Sequence, residues 1–139
     1  MKYHNNPLNI RYKERNNWQG QTKPVKGFCT FKTLFYGYRA AIMLIIRYRS
    51  FGCDTVRSII NRWAPSSDNN NTQEYIAFVA DSLCVSPDHV VTNDDLYLML
   101  SAMTRIEQGS FSVSTDKALQ NTLFLMNLPC ILSPHADIF

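Results

Sequence analysis

Apolar side chains recur at helical spacing through most of the chain beyond residue 33. Leu34, Tyr38, Ala41, Ile42, Ile45 and Ile46 share a face and predict a central helix from Thr33 to Tyr48, stopped at Gly52. A second helix is expected from an Asp54 N-cap to Trp63, with Val56, Ile59, Ile60 and Trp63 on one side and Pro65 ending it. After the polar loop 65–72, Thr72 is expected to cap a third helix that turns Tyr75, Ile76, Phe78, Val79 and Leu83 inward. Ser86-Pro87-Asp88 reads as a turn. A fourth helix is expected from an Asn93 cap to Glu107, closed by Gly109, and a fifth over 116–126 before an irregular tail with Pro129 and Pro134.

Residues 1–31 lack this periodicity. Asn, Gly and Pro are frequent there, so loops are expected, with one short hairpin around Gly27-Phe28-Cys29-Thr30-Phe31. No repeat and no alternation of strands with helices is visible. The expected fold class is mainly α: a helical domain with an irregular N-terminal segment and a short hairpin, residues 1–139 forming a single domain.

Composition narrows the function classes. At 139 residues, 45% hydrophobic and 18% charged, the chain can bury a core and is not of disordered type. A net charge of +3 is mildly basic, short of the dense Lys/Arg stripe of a dedicated nucleic-acid binder, and suits weak attraction to an anionic polymer such as bacterial cell wall. The run 40–46 is too short to span a bilayer, and Met1 to Pro7 has no apolar core of a signal peptide. Any route out of the cell then requires another system, such as a phage holin or a secretion machine, or a signal already removed. Cys29, Cys53, Cys84 and Cys130 are widely spaced, which disfavours zinc; reduced structural cysteines are favoured over three possible disulfide pairings, with Cys84 a buried thiol. His4, His89 and His135 form no metal-ligand pattern, and no cofactor or metal is implied.

Glu107 is the sharpest feature. At about 100° per residue it lines up with Leu96, Leu100 and Met103, placing a carboxyl on the inward stripe of the fourth helix, in its last turn. Burial and the negative helix end both favour the protonated form, and glycosidic bond cleavage needs such an acid. The other reading is that Glu107 swings out past the helix end or pairs with Arg105 or another cation.

Arg105-Ile106-Glu107-Gln108-Gly109 resembles the end of the catalytic helix in lysozyme-like enzymes, namely lytic transglycosylases and bacterial glucosaminidases of the autolysin and flagellar-rod type. Asn5-Asn6-Pro7-Leu8-Asn9-Ile10-Arg11 is similar to the Asn-Asn-x-x-Gly-Ile-Lys-like motif of those glucosaminidases. Phe28 to Phe31, the helix from Thr33, Trp63-Ala64 and Tyr75 follow the family's later order. The Asn-Asn-Pro start, Trp18-x-Gly20 and Trp63-Ala64-Pro65 also resemble phage virion proteins with a lysozyme-like lytic domain. In the glucosaminidases the Glu helix precedes the Asn-Asn motif; here it follows, which a circular permutation would explain.

The resemblance implies a peptidoglycan-cleaving glycosidase or lytic transglycosylase acting as a monomer on the glycan strand. Glu107 would be its acid and base, and Tyr75 a hydrogen-bond donor to developing charge. Asn5, Asn6 and Arg11 would bind substrate, and Trp18, Phe31 and Trp63 would give apolar walls for sugar rings. No second carboxylate stands out: Asp54 and Asp68 read as cap and loop residues, and Asp81 as surface. Three other readings remain open. One is an inactive phage virion protein keeping the lysozyme-like fold. Another is a wall peptidase or amidase using Cys29 and His89. The third is a nucleic-acid binder using Arg39, Arg47, Arg49 and Arg57. The bond cut and the product end stay open as well.

Overall fold

Lys26 and Gly27 take positive φ angles of 51° and 82°, the pair of angles that a two-residue turn needs to match the right-handed twist of its strands. They join β1 (Gln21–Val25) to β2 (Phe28–Phe31) in an antiparallel pair. Gln21 faces Phe31 and Thr22 faces Thr30, with an irregularity between Thr22 and Val25. The Thr22 and Thr30 hydroxyls lie 2.6 Å apart across the pair. This computed structural model describes residues 1–133; Pro134 and His135, noted in the sequence, lie outside the described residues.

Five helices follow among the described residues: α1 (Leu34–Ser50), α2 (Val56–Trp63), α3 (Thr72–Leu83), α4 (Leu96–Gln108) and α5 (Val113–Leu125). The mainly α, lysozyme-like class expected from the sequence is therefore corrected to a mixed, largely helical α/β architecture with a two-stranded sheet. The reason lies in residues 1–31. Their average polarity hides Leu8, Ile10, Trp18, Cys29 and Phe31, all buried in one cluster with the helices, so this segment is part of the core and not an irregular extension of it.

Several helix starts also move. Thr55, not Asp54, caps α2: its hydroxyl accepts from the Ser58 N–H while the Ser58 hydroxyl accepts from the Thr55 N–H, a reciprocal pairing an aspartate one residue earlier does not make. Asn71, not Thr72, caps α3 by accepting from the Glu74 N–H, and the Thr72 hydroxyl instead donates to the Ala64 carbonyl. Asn93 opens a short 3₁₀ turn capped by Thr92 before α4 begins. Ser112 caps α5 earlier than expected, accepting from the Thr115 N–H. Phe78 is 38% exposed instead of inward. Cys84 ends α3 with φ 57° and is exposed rather than buried, and no disulfide joins the cysteines among the described residues.

The helices pack as α2 on α3, α3 on α4, α1 on α5 and α4 on α5. Leu96, Met99, Leu100 and Met103 of α4 are fully buried. The Tyr38 hydroxyl meets that of Thr104 at 2.7 Å, tying α1 to α4 inside the core. Residues 5–7 lie directly on α1 at Gly37, where a β-carbon would run into the Asn5 carbonyl.

Two stability outcomes follow from this packing. Glycine to alanine inside a helix ordinarily stabilises by about 1 kcal/mol. Gly37→Ala is expected to lower the melting temperature instead, because the N-terminal segment must lift from α1; a rise would contradict this seating. Leu100→Ala, which removes fully buried volume, is expected to cost about 2–5 kcal/mol in a denaturant titration.

Candidate functional site

The N-terminal segment can reach α4 because two asparagines bend it. Asn5 and Asn9 adopt φ angles of 55° and 52°, which asparagine tolerates better than most side chains. Between them Asn6 is fully buried and wholly committed to backbone. Its oxygen accepts from the Ile10 N–H at 2.9 Å, and its nitrogen donates to the Ile10 and Cys29 carbonyls at 3.0 and 2.9 Å. This clamp holds the bend against β2 and presents Asn9 to the last turn of α4.

There Asn9 Nδ2 donates to Glu107 Oε1 at 2.7 Å, between residues 98 apart in sequence. Tyr75 of α3 donates its phenolic O–H to Glu107 Oε2 at 3.0 Å. Gln108 locks the arrangement, donating to the Pro7 carbonyl at 3.0 Å and to Asn9 Oδ1 at 3.2 Å. Glu107 is partly buried and makes no ion pair among the described residues. Burial pushes its carboxyl above the usual range; hydrogen bonds from Asn9 and Tyr75 and the charge of Lys2 pull the other way without cancelling it. Burial, then the Glu107 charge and hydrogen bond, hold Tyr75 well above the ordinary phenol value, so it remains a donor. The cluster thus sets burial, which favours the protonated carboxyl, against two donors that favour its charged form.

Beside it opens a cleft of about 550 Å³. Asn9 lies on its lining together with Trp63, Tyr48 and Asp68. Arg11, Lys13, Arg15, Arg47 and Arg62 line it too. Arg47 lies over the Trp18 ring at 5.1 Å and Arg62 over Tyr48 at 4.8 Å. Arg11 pairs with Asp68 at 3.5 Å.

The structure brings Glu107 and Tyr75 together and sets Arg11 and Trp63 on the neighbouring cleft, where the Trp63 indole N–H donates to the Leu8 carbonyl at 3.1 Å. Asn5 spends its amide on the Phe31 carbonyl at 3.0 Å, and Asn6 is sealed within the core. Trp18 is 8% exposed and Phe31 fully buried, so neither forms an open wall. Burial raises the Cys29 thiol to about 11, and His89 contacts Asp95 at 2.8 Å. Those positions leave the Cys29/His89 pair without a ready thiolate. Among the described residues no group of three His, Cys, Asp or Glu side chains is placed to hold a metal, and no helix is long and apolar enough to cross a membrane.

Asn9 and the cations Lys13, Arg15 and Arg62 were missed by sequence reasoning. Asn9 sits inside the run whose resemblance gives roles only to Asn5, Asn6 and Arg11. Its signal is an asparagine four residues after Asn5, a spacing that brackets a bend. The cations sit singly along the chain, and only folding gathers them.

No family model matches the chain. It is 35% identical over 121 residues to Protein P5 of Pseudoalteromonas phage PM2, a stretch covering 81% of this chain and 73% of the phage protein.

The raised Glu107 carboxyl has a measurable sign. The folded chain keeps its proton where the unfolded chain, titrating near about 4.3, releases it, so this group's contribution to stability falls as pH rises from there through the folded value. Glu107→Gln lacks that loss. Its melting temperature relative to the native chain is expected to be more favourable at pH 7 than at pH 3.5, measured by circular dichroism. A pH-independent difference would contradict the assignment.

Proposed function

The chain belongs to the family of phage PM2 Protein P5, and we propose that it is a phage-encoded protein that cleaves the glycan strand of bacterial peptidoglycan with Glu107 as its acid. The kinship supports the phage half of this reading. The chemical half rests on one observation: a partly buried carboxyl, raised by burial and held by Tyr75 and by Asn9, the latter on the lining of a cleft.

Glu107 donates its proton to the bridging oxygen as the glycosidic bond breaks, leaving an oxocarbenium-like sugar. The carboxylate so formed is a better acceptor, and the hydrogen bonds from Tyr75 and Asn9 strengthen as charge appears on it. These two donors therefore ease the ionisation that the step requires, while burial keeps the acid loaded beforehand. Glu107 then takes a proton from the attacking hydroxyl, either water or the sugar's own. Tyr75 serves the acid itself in this arrangement and has no need to touch the sugar. Trp63 offers a flat face for a ring, and Asn9 a polar edge.

A second reading, to which the phage kinship speaks more directly, is a structural component of the phage particle without catalysis. Both Glu107 oxygens already carry a partner, and the one carboxylate on the cleft lining, Asp68, is paired with Arg11. In either case the protein would act from the virion or on release at lysis.

Incubating the native chain and Glu107→Gln with purified sacculi separates the two. Muropeptide release by the native chain, falling at least ~100-fold in the variant, is expected for loss of a general acid. Anhydro ends would mark an intramolecular attack and reducing ends hydrolysis. No release from several wall types would favour the particle component, and equal release by both proteins would remove Glu107 from the chemistry.

A further inference from the structure

The charge of the cleft is not explained by a neutral sugar chain. Lys13, Arg15, Arg47 and Arg62 converge on it, and none of them is in an ion pair among the described residues. The single acid on its lining, Asp68, is taken by Arg11. All four side chains belong to exposed residues, so they are open to a ligand. Two of the guanidinium groups are steadied over aromatic rings, which limits the freedom that binding must remove. Such groups match the paired oxygens of a carboxylate.

Asn9 and Trp63 line the same cleft as these cations. A polymer lying against Asn9 and Trp63 therefore brings its substituents within reach of Arg15 and Arg47. In peptidoglycan the sugar backbone carries no net charge of its own where the stems are attached, and the free carboxylates belong to those peptide stems.

We propose that the basic part of this cleft binds the carboxylates of the peptide stems, so that the protein selects stem-bearing glycan over bare glycan. The inference rests on the glycan-cleaving reading and deepens it by naming the form of the substrate. Arg15, Arg47 and Arg62 are the specificity determinants. Neither Glu107 nor Tyr75 takes part in this selection.

Binding tests it separately from cleavage. Soluble, uncross-linked glycan strands with their stems, and the same strands stripped by an amidase, are titrated against Glu107→Gln, which suppresses turnover. The native chain is titrated at low temperature as a check on that variant. Stem-bearing strands are expected to bind roughly tenfold more tightly, the gain of one or two charge-assisted contacts at an exposed site. The ratio is expected to shrink towards one in Arg15→Ala/Arg62→Ala, with Arg47→Ala as a second variant, and to weaken as salt is raised. Each variant's folding is checked by circular dichroism.

Equal affinity for bare and stem-bearing strands would overturn the proposal, as would tighter binding to a short DNA duplex at the same ionic strength. The two ideas fail differently. Cleavage without stem preference removes this inference and keeps the acid role of Glu107. Stem preference without cleavage keeps the inference and removes the acid role.

Discussion

The hydrogen bond from Asn9 to Glu107 joins the start of the chain to the last turn of α4. Around it the other contacts of the site take their places. Gln108 holds the Pro7 carbonyl and the Asn9 oxygen, and its own side-chain oxygen accepts from the Lys2 N–H at 3.2 Å. The Asn6 clamp anchors the same segment to β2, and Gly37 lets it lie on α1. Glu107 is partly buried where Asn9 of this segment and Tyr75 of α3 close on its carboxyl. Burial in turn sets the proton affinity of the carboxyl. A loose N-terminal segment would therefore alter the fold and the chemistry together.

The helical part of this arrangement was legible in the sequence because it follows from spacing alone. Leu96, Leu100 and Met103 define a face, and Glu107 shares it; all three apolar residues are fully buried. The caps were less legible. Asp54 and Thr55 both suit an N-cap, and the choice depends on Ser58, whose hydroxyl completes the reciprocal pair only with Thr55. The N-terminal segment was misjudged for a different reason. Its few apolar residues lie at no regular period, and its polar ones look solvated until their backbone partners are known. Asn6 shows this most clearly: a residue expected to face sugar is fully buried, its amide answering three backbone groups. Trp18 and Phe31 likewise could be assigned to wall or core only once the hairpin was placed.

The cleft illustrates a further limit of reading along a chain. Arg11, Lys13 and Arg15 come from the N-terminal segment, Arg47 from α1 and Arg62 from α2. Lys13, Arg15 and Arg62 are unremarked in their own stretches, Arg11 and Arg47 enter two different readings, and the modest net charge of +3 conceals their convergence. Local charge density, not overall charge, governs what such a surface attracts. The chain belongs to the family of a phage protein, and a partly buried carboxyl, raised by burial, neighbours this surface through Asn9.

The claim on which these connections rest is that Glu107 stays protonated above the range of an ordinary glutamate because it is partly buried where the N-terminal segment, α3 and α4 meet. Carbon-13 NMR of glutamate-labelled protein, followed through a pH titration, reports this carboxyl directly, with Glu107→Gln identifying its resonance. A midpoint above the usual value of about 4.3 is the result this account requires. A midpoint at or below the ordinary value in the native chain would contradict it.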